Sequence, residues 1–313
     1  MSTRRYVFRR LLYALPVIIG VTLIVFVLFN VVIDDPTPIL LGKHATAERM
    51  AELRHELGID RPLWRQYLDT LWSAMTLSFG RSWVTKQSIG EMFREGAWIS
   101  ISLSLPAFIV SSALSILVAL LSAFYRGKFA DKFIVMFSVA MMSVSALTYI
   151  LAGQWFFGYK LGWFPIMGYE AGFPQCIPYL ILPWIVWIVL SVGPDARFYR
   201  SVILEEVHQN YVRTARSKGL AEHIVLCKHV LKNAMIPILT SLVMQLPTLI
   251  LGAVLIESFF GIPGLGGLAI QAINQSDFPV LKAMTILMSL LHIAFSVLVD
   301  ILYVRVDPRM KLQ

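Results

Sequence analysis

The sequence predicts an all-α integral membrane protein whose helices cross the bilayer six times. Three observations carry that expectation. Hydrophobic residues make up 57% of the 313 positions and charged residues only 15%, where a soluble domain carries about 25% charged residues. Mean hydropathy is +0.70. The apolar residues are gathered into six long runs, at 11–33, 97–125, 133–157, 177–192, 235–256 and 280–304, and a helix of about 20 apolar residues spans the hydrocarbon core. In lipid each run must satisfy its own backbone hydrogen bonds, which makes it a helix. The short alternating strands of a closed barrel do not occur in the pattern.

Taken in order, residues 1–33 read as an N-terminal flank and first span. Its 23-residue apolar run is longer than a signal-peptide core and no small-residue cleavage site follows, so it is expected to be retained. Residues 34–96 form the one sizeable polar segment outside the spans. Within it, residues 46–57 read as a short helix, with Thr46 as cap and Glu48 in its first turn. Pro62 opens a second helix in which Leu63, Tyr67, Leu71 and Met75 share a face. About sixty residues bury little core alone, so this segment is expected to rest on the membrane domain, with Trp64, Trp72 and Trp83 near the interface. It serves as a contact surface or as a lid. Residues 97–304 are the five-span core, and 305–313 a tail. The fourth span is the shortest and contains Pro183.

Charge fixes the orientation. Arg4, Arg5, Arg9 and Arg10 precede the first span; Arg126, Lys128 and Lys132 lie between the second and third; seven basic residues lie between the fourth and fifth; Arg305, Arg309 and Lys311 end the chain. Seventeen of 27 Lys and Arg thus fall on one side, and the short connections opposite carry only Lys160 and Lys282. The positive-inside rule places both termini and the basic loop in the cytoplasm. The net charge of +8 is therefore an orientation signal with affinity for anionic lipid; no nucleic-acid motif accompanies it. Cys176 and Cys227 are expected on opposite sides of the membrane, and no CxxC spacing points to a metal or redox site.

The basic segment, residues 197–233, is the most informative stretch. Val207, Tyr211, Ala215, Leu220, Ile224 and Leu231 trace an apolar stripe at helical steps, broken at Gly219, while Arg213, Arg216, Lys228 and Lys232 take other faces. Glycine alone adopts positive φ without strain, so Gly219 permits a sharp change of direction. Helix–glycine–helix makes a knob that fits a cleft in a partner; an amphipathic helix lying on lipid has the same pattern.

Polar residues inside the spans are candidates for a path: Asn30, Gln154, Gln245 and His292, with Met141, Met142 and Met244 as adaptable apolar surface. Ser100, Ser102, Ser104, Ser111, Ser112 and Ser115 of the second span suit helix–helix hydrogen bonding. The run Gly264-Leu-Gly-Gly-Leu-Ala269 has glycine spacing loosely like a dinucleotide site but lacks the strand before it, and reads as a tight re-entrant turn. No P-loop occurs, so this chain does not hold ATP by that device. No catalytic triad, carboxylate pair or HExxH appears, which leaves an enzyme unsupported.

The run Asn210-Tyr-Val-Arg-Thr-Ala-Arg-Ser-Lys-Gly-Leu220, followed by His229-Val-Leu-Lys-Asn-Ala-Met-Ile-Pro237, closely resembles the coupling-loop signature of ABC importer permeases of the oligopeptide/dipeptide/nickel branch. Further matches run the length of the chain: Asp35-Pro36, Leu57-Gly-Ile-Asp-Arg-Pro-Leu63, Gln66-Tyr67, Phe79-Gly80, Leu161-Gly-Trp-Phe-Pro165, Glu257-Ser-Phe-Phe-Gly-Ile-Pro-Gly-Leu-Gly266, Asp277-Phe-Pro279 and Asp307-Pro-Arg309. Arg213 and Thr214 replace the Glu-Ala that opens the motif in the wider superfamily, and Pro237 sits farther from Gly219. Ser78 stands where the branch often has Asp, and Asp34 where it often has Gly.

The resemblance implies a type I importer permease in a bacterial cytoplasmic membrane. Its partners would be a second, homologous permease, two cytoplasmic ATPases that carry ATP and Mg, and an extracytoplasmic binding protein. It implies coupling to the ATPase through Tyr211, Arg213, Thr214, Ala215, Arg216, Lys218, Gly219 and Leu220, an extracytoplasmic gate or turn at Glu257, Gly261, Pro263, Gly264 and Gly266, and a possible path past Gln154, Met244 and Gln245. Peptides are the implied cargo; nickel complexes, glutathione and small sugars are carried by related permeases. An ion-coupled secondary transporter would show acidic residues buried mid-span and inverted repeats, and the span middles as drawn above lack Asp and Glu. A receptor or scaffold would need no path.

Overall fold

The computed structural model describes residues 3–32, 37–41 and 46–306. Among them every named element is a helix. In chain order these are α1 (Thr3–Val27), α2 (Thr37–Leu41), α3 (Ala47–Glu56), α4 (Leu63–Thr76), α5 (Ile89–Phe124), α6 (Phe129–Met142), α7 (Ala146–Gly153), α8 (Ile177–Val207), α9 (Asn210–Ser217), α10 (Glu222–Ile224), α11 (Leu231–Leu251), α12 (Val254–Phe260), α13 (Leu265–Asn274) and α14 (Phe278–Val306). Asp34, Asp35, Pro36, Asp307, Arg309 and Lys311 lie outside the described residues, as do the side chains of Asp300 and Arg305.

Five helical stretches are long and apolar enough to cross a membrane, and a sixth crossing is a bent pair. That pair is the main departure from the sequence reading. The third span is not one helix: α6 and the helix from Ala146 to Lys160 meet at 91°. Ser143 ends α6, its hydroxyl donating to the Val139 carbonyl at 2.9 Å, and Ser145 takes the extended cap position before α7; serine competes for backbone groups in a way that disfavours helix interiors. Tyr149 ties the corner by donating to the Met141 carbonyl at 3.0 Å.

Other boundaries shift for identifiable reasons. α5 begins at Ile89, eight residues before the apolar run, because Ile89 and Phe93 pack with Leu265 and Val280 and so extend the helix into the outer segment. α8 does not stop at Val192. It continues through Pro183 and Pro194 to Val207, since Ala196, Tyr199 and Ile203 keep one buried face going. This brings Asp195, which lies beyond the apolar run 177–192, inside a spanning helix. α11 stops at Leu251, not 256, where Gly252 takes φ +82°.

The bundle has two packed ends. At the end bearing the basic loop, Ala119 and Ala123 of α5, Tyr199 and Ile203 of α8, Val212 and Ala215 of α9, and Ala234 and Ile238 of α11 form one core. At the opposite end Leu103, Ile150, Leu180 and Leu182 pack on Ile256, Phe260 and Ile262. Each fully buried Leu or Ile contributes about 1.5–3 kcal/mol of transfer free energy wherever water is the alternative; within lipid the gain comes from close packing instead. Gly193 illustrates this: a Cβ there would lie 3.1 Å from Met141 Cβ, so its absence lets α6 and α8 approach.

The outer segment rests on the bundle. Thr46 caps α3, accepting from the Arg49 N–H at 3.4 Å, and Pro62 precedes α4. The face of α4 that packs is Gln66, Tyr67, Thr70, Leu71 and Ala74; Leu63 and Met75 are exposed at the helix ends, as are Trp64 and Trp72. Tyr67 meets Phe26 edge-on at 5.6 Å and donates to the Ile19 carbonyl at 3.1 Å. A polar relay joins three elements: Lys282 donates to Asn30, Asn30 to Gln66 at 2.7 Å, and Gln66 to the carbonyls of Ile59 and Arg61. Asn30 is thus a tie, not a path residue. Asp277 binds Ser82 and the Trp83 N–H, fastening the segment to the start of α14.

Near the basic end, Arg200 of α8 grips Asp131 of α6 through two nitrogens, both at 3.0 Å, while Ser122 of α5 and the Gly127 N–H donate to the same carboxylate. The pair is mostly enclosed, Asp131 side chain 7% and Arg200 24% exposed. Removing one partner of such a pair costs about 3–5 kcal/mol, whereas replacing both by apolar groups is often neutral. Arg200→Met is therefore expected to lower the thermal unfolding midpoint in detergent markedly, and adding Asp131→Leu to restore most of it. A double variant as unstable as the single one would show that the charges do not compensate each other.

Candidate functional site

The first candidate is the elbow at the basic end. The seated side of α9 is Val212 and Ala215, the latter 5% exposed, with Tyr211 half-buried beside them. Past the bend the seated residues are Val225, Leu226 and Val230. Before the bend the stripe is seated as read, at Tyr211 and Ala215; past Gly219 the seated positions change, because the bend resets the helical phase. Leu220 and Ile224, the stripe residues just past the break, are 36% and 37% exposed. Ala215 lies within this chain's own core and is not free to touch a partner. The outward strip is Arg213, Thr214, Arg216, Ser217, Lys218, Gly219 and Leu220, continuing to Ile224.

Gly219 has φ +72° with open space around its would-be Cβ, so backbone conformation and not crowding selects glycine there. Arg216 reaches across the bend to Glu222 with bonds of 3.1 and 2.6 Å, pinning the elbow angle and raising the guanidinium above its usual range. Burial, assisted by the Glu206 carboxylate that its hydroxyl bonds, pushes Tyr211 up to about 12. It stays a neutral donor at any physiological pH. Arg126 bonds His208 at 3.0 Å at the foot of α8.

The second candidate is the re-entrant unit of α12 and α13. α11 breaks at Gly252; α12 runs seven residues; Gly261, at φ +66°, turns the chain; Gly264 precedes α13. A helix start leaves N–H groups without intrahelical partners. Here the first three of α13 are met from other elements: Leu265 N–H donates to Ser100 Oγ at 2.8 Å, and Gly266 and Gly267 N–H to the Glu257 carboxylate at 2.7 and 3.1 Å. Ser100 in turn donates to Glu257 at 2.8 Å. Glu257 is fully buried, and its charge lies at the positive end of a helix dipole. Side chains at 252 or 264 would overlap this carboxylate, which accounts for both glycines.

The helix ends facing the other way are capped as well. Ser104 donates to the Leu249 carbonyl at 2.7 Å. Gln154 donates to the carbonyls of Phe259 and Ile166 at 2.9 and 3.0 Å, and Gly168 N–H to Phe260 at 2.8 Å. Gln154 is 8% exposed and has its amide nitrogen committed to these two carbonyls, so it clamps the turn. Pro263 follows the turn within the pocket bounded by Glu95, Gly96, Glu257 and Gln271. Met244, 39% exposed, and Gln245, half-buried, lie together on α11 away from Gln154. His292 bonds its own helix at the Met288 carbonyl. Among the described residues no group of His, Cys, Asp and Glu is placed to hold a metal.

Glu257 and the glycines were legible from the Glu-Ser-Phe-Phe-Gly-Ile-Pro-Gly-Leu-Gly run. The contribution of Ser100 and Ser104 was legible only as hydroxyls suited to packing, and that of Gln154 as a polar span residue. Glu257→Gln, which keeps shape but loses charge, is expected to cost about 1–3 kcal/mol, read as a lower unfolding midpoint and faster proteolysis between residues 252 and 264. Gly264→Ala should do at least as much, while Gly219→Ala costs only the left-handed backbone, about 1–2 kcal/mol, and leaves the re-entrant unit protected. Protection of Gly264→Ala equal to the unaltered chain would contradict the cradle.

Comparison with known proteins places these features in one family. The model of the binding-protein-dependent transport system inner membrane component matches residues 113–312, and its N-terminal companion matches residues 3–103. The chain is 33% identical over 332 residues to the di/tripeptide transport system permease protein DppB of Pseudomonas aeruginosa (strain UCBPP-PA14), covering 98% of this chain and 99% of that one. It is 32% identical over 334 residues to the dipeptide transport system permease protein DppB of Escherichia coli (strain K12), covering 98% of each. A Brucella abortus (strain 2308) protein, named provisionally as a peptide transport system permease, is 35% identical over 310 residues, 97% of this chain and 98% of the relative. With matches across nearly its whole length, the chain belongs to the family of binding-protein-dependent ABC transport system inner membrane components.

Proposed function

We propose that this chain is half of the gated passage of a peptide importer, driven through its elbow by a cytoplasmic ATPase. The relatives' names supply the cargo class, di- and tripeptides or peptides generally. The observation that carries the mechanism is the elbow: one face of α9 is locked in the bundle core while the opposite face, Arg213 to Leu220, is bare. A basic, exposed strip on a firmly seated helix is suited to receive force. Nickel complexes and glutathione are the neighbouring cargo readings; among the described residues no group of His, Cys, Asp and Glu favours the first.

A second, homologous permease subunit completes the passage, two ATPases holding ATP and Mg sit beneath, and a binding protein delivers cargo to the outer segment and re-entrant unit. Nucleotide binding draws the ATPases together and carries the elbows with them. Val212, Ala215 and Val230 pass that motion to Tyr199 and Ile203 of α8 and Ala234 of α11. α11 leads continuously from the elbow to Gly252, where the gate unit begins. The switch runs on the different affinity of the two states for nucleotide.

Purification in mild detergent is expected to recover a second permease and two ATPase subunits; this chain alone, active in vesicles without ATP, would refute the reading. Gly219→Val, whose side chain meets nothing within this chain but resists the left-handed backbone, is expected to insert normally and uncouple ATP hydrolysis from uptake. Unchanged peptide uptake per ATP in that variant would count against the elbow as coupler.

A further inference from the structure

Asp195 is a carboxylate inside a spanning helix with no cation matched to it. It lies toward the inner end of the apolar part of α8 and is half-buried. Ionisable groups at such positions are costly and are held by a partner or face a water-filled space. Among the described residues Asp195 has no Lys or Arg partner. Arg197, two residues on, points elsewhere on the helix; Arg200 is committed to Asp131. The group that meets Asp195 is the Gln245 amide of α11.

The surroundings are polar in a pattern. Ser241, Gln245 and Thr248 repeat at steps of four and three along α11, so they share a stripe on an otherwise apolar helix. Gln245 reaches Ser241 at 3.4 Å. All three are at least partly accessible, and Met244 beside them is exposed. One turn past Asp195 on the same face of α8, the Tyr199 hydroxyl is fully buried and has no hydrogen-bond partner. A carboxylate met by a single neutral amide, with an unbonded hydroxyl one turn on and a polar stripe leading to it, describes a site with no cationic donor among the described residues.

We propose that Asp195, with Gln245, is a recognition station for the primary ammonium group of cargo on its way through the passage. The inference rests on the peptide reading above. Every unblocked peptide carries an ammonium at its amino end, and a carboxylate flanked by an amide oxygen accepts from it by charge-assisted hydrogen bonds. The contact would be transient: a half-exposed carboxylate binds weakly enough to release. Asp195 is a selectivity residue in this account and takes no part in ATP chemistry.

The test uses the complete complex in vesicles, with tri-alanine and its desamino analogue as probes, each first shown to load the binding protein. Uptake rates are measured at saturating loaded binding protein. The expected result is that tri-alanine crosses about 10-fold faster than the analogue, the range of one charge-assisted hydrogen bond. Asp195→Asn should erase that preference by slowing tri-alanine alone, and Asp195→Glu should retain most of it. If Asp195→Asn is not inserted into the membrane, Gln245→Leu should reduce the preference in the same direction. A preference unchanged in both variants, or an equal loss for both cargoes, overturns the inference. So does loss of the second permease from the Asp195→Asn complex, since the carboxylate would then pair with a fixed cation of that subunit. Vesicles of the unaltered complex that import neither probe nor any other peptide would refute the peptide reading itself.

Discussion

A helix that stops inside a membrane domain leaves backbone N–H and C=O groups that lipid cannot satisfy, and each costs free energy unless the fold supplies a partner. The re-entrant unit creates this problem three times within about twenty-five residues, and Glu257 with Ser100 is the main answer. The carboxylate closes the start of α13, the serine hydroxyl joins it to α5, and glycines at 252, 264 and 266 leave the room both need. Gln154 and Ser104 complete the set from α7's continuation and α5. Capping from separate helices has a mechanical consequence. The turn moves only as a unit with the helices that cap it, or by exchanging those bonds together, and both make a two-position gate more natural than a gradual one.

The same logic links the two ends of the bundle. α11 begins in the elbow's core and ends at Gly252, where the re-entrant unit starts. α5, 36 residues long, packs against it and reaches both ends, with Ala119 and Ala123 under the elbow and Ser100 and Ser104 against the re-entrant unit. A displacement at the cytoplasmic end therefore reaches the outer turn through continuous helices. The Asp131–Arg200 pair adds a polar tie between α6 and α8 at the basic end, beside their close packing at Gly193 and Met141. The outer segment, fastened by Asp277, Asn30 and Tyr67, is tied to α14 and α1 and so rides on the gate's neighbours.

Much of this was legible in the sequence, because hydrocarbon imposes a strong and simple pattern. The spans, their direction and the Gly219 bend follow from apolar run length, basic flanks and backbone conformation. What hydropathy does not register is where a helix outlasts its apolar stretch. α8 and α5 both extend past the runs on the strength of single buried faces, which hid Asp195 from a search of span middles. The corner at Ser143–Ser145 was invisible for the opposite reason: two serines in an apolar run barely lower the average but end two helices. Leu220 and Ile224 sit on the apolar stripe by spacing, but spacing does not say which stripe residues past the bend turn inward, and these two stay exposed. Gln154 looked like a path residue since a polar side chain in a span has either a ligand or a backbone group to serve, and spacing does not say which.

The claim that unites these features is that the bare side of the elbow works inside a pocket of the ATPase. Site-specific cross-linking from residue 220, with Leu220→Cys placed on the outward strip and the exposed Cys227 replaced, measures it directly. The account predicts a cross-link to the ATPase subunit in the assembled complex, preserved through nucleotide binding and hydrolysis while labels across the outer turn at residue 263 change separation. A cysteine at 220 that reacts only with soluble or lipid-borne reagents, or an outer turn that keeps one separation throughout the ATP cycle, would contradict it.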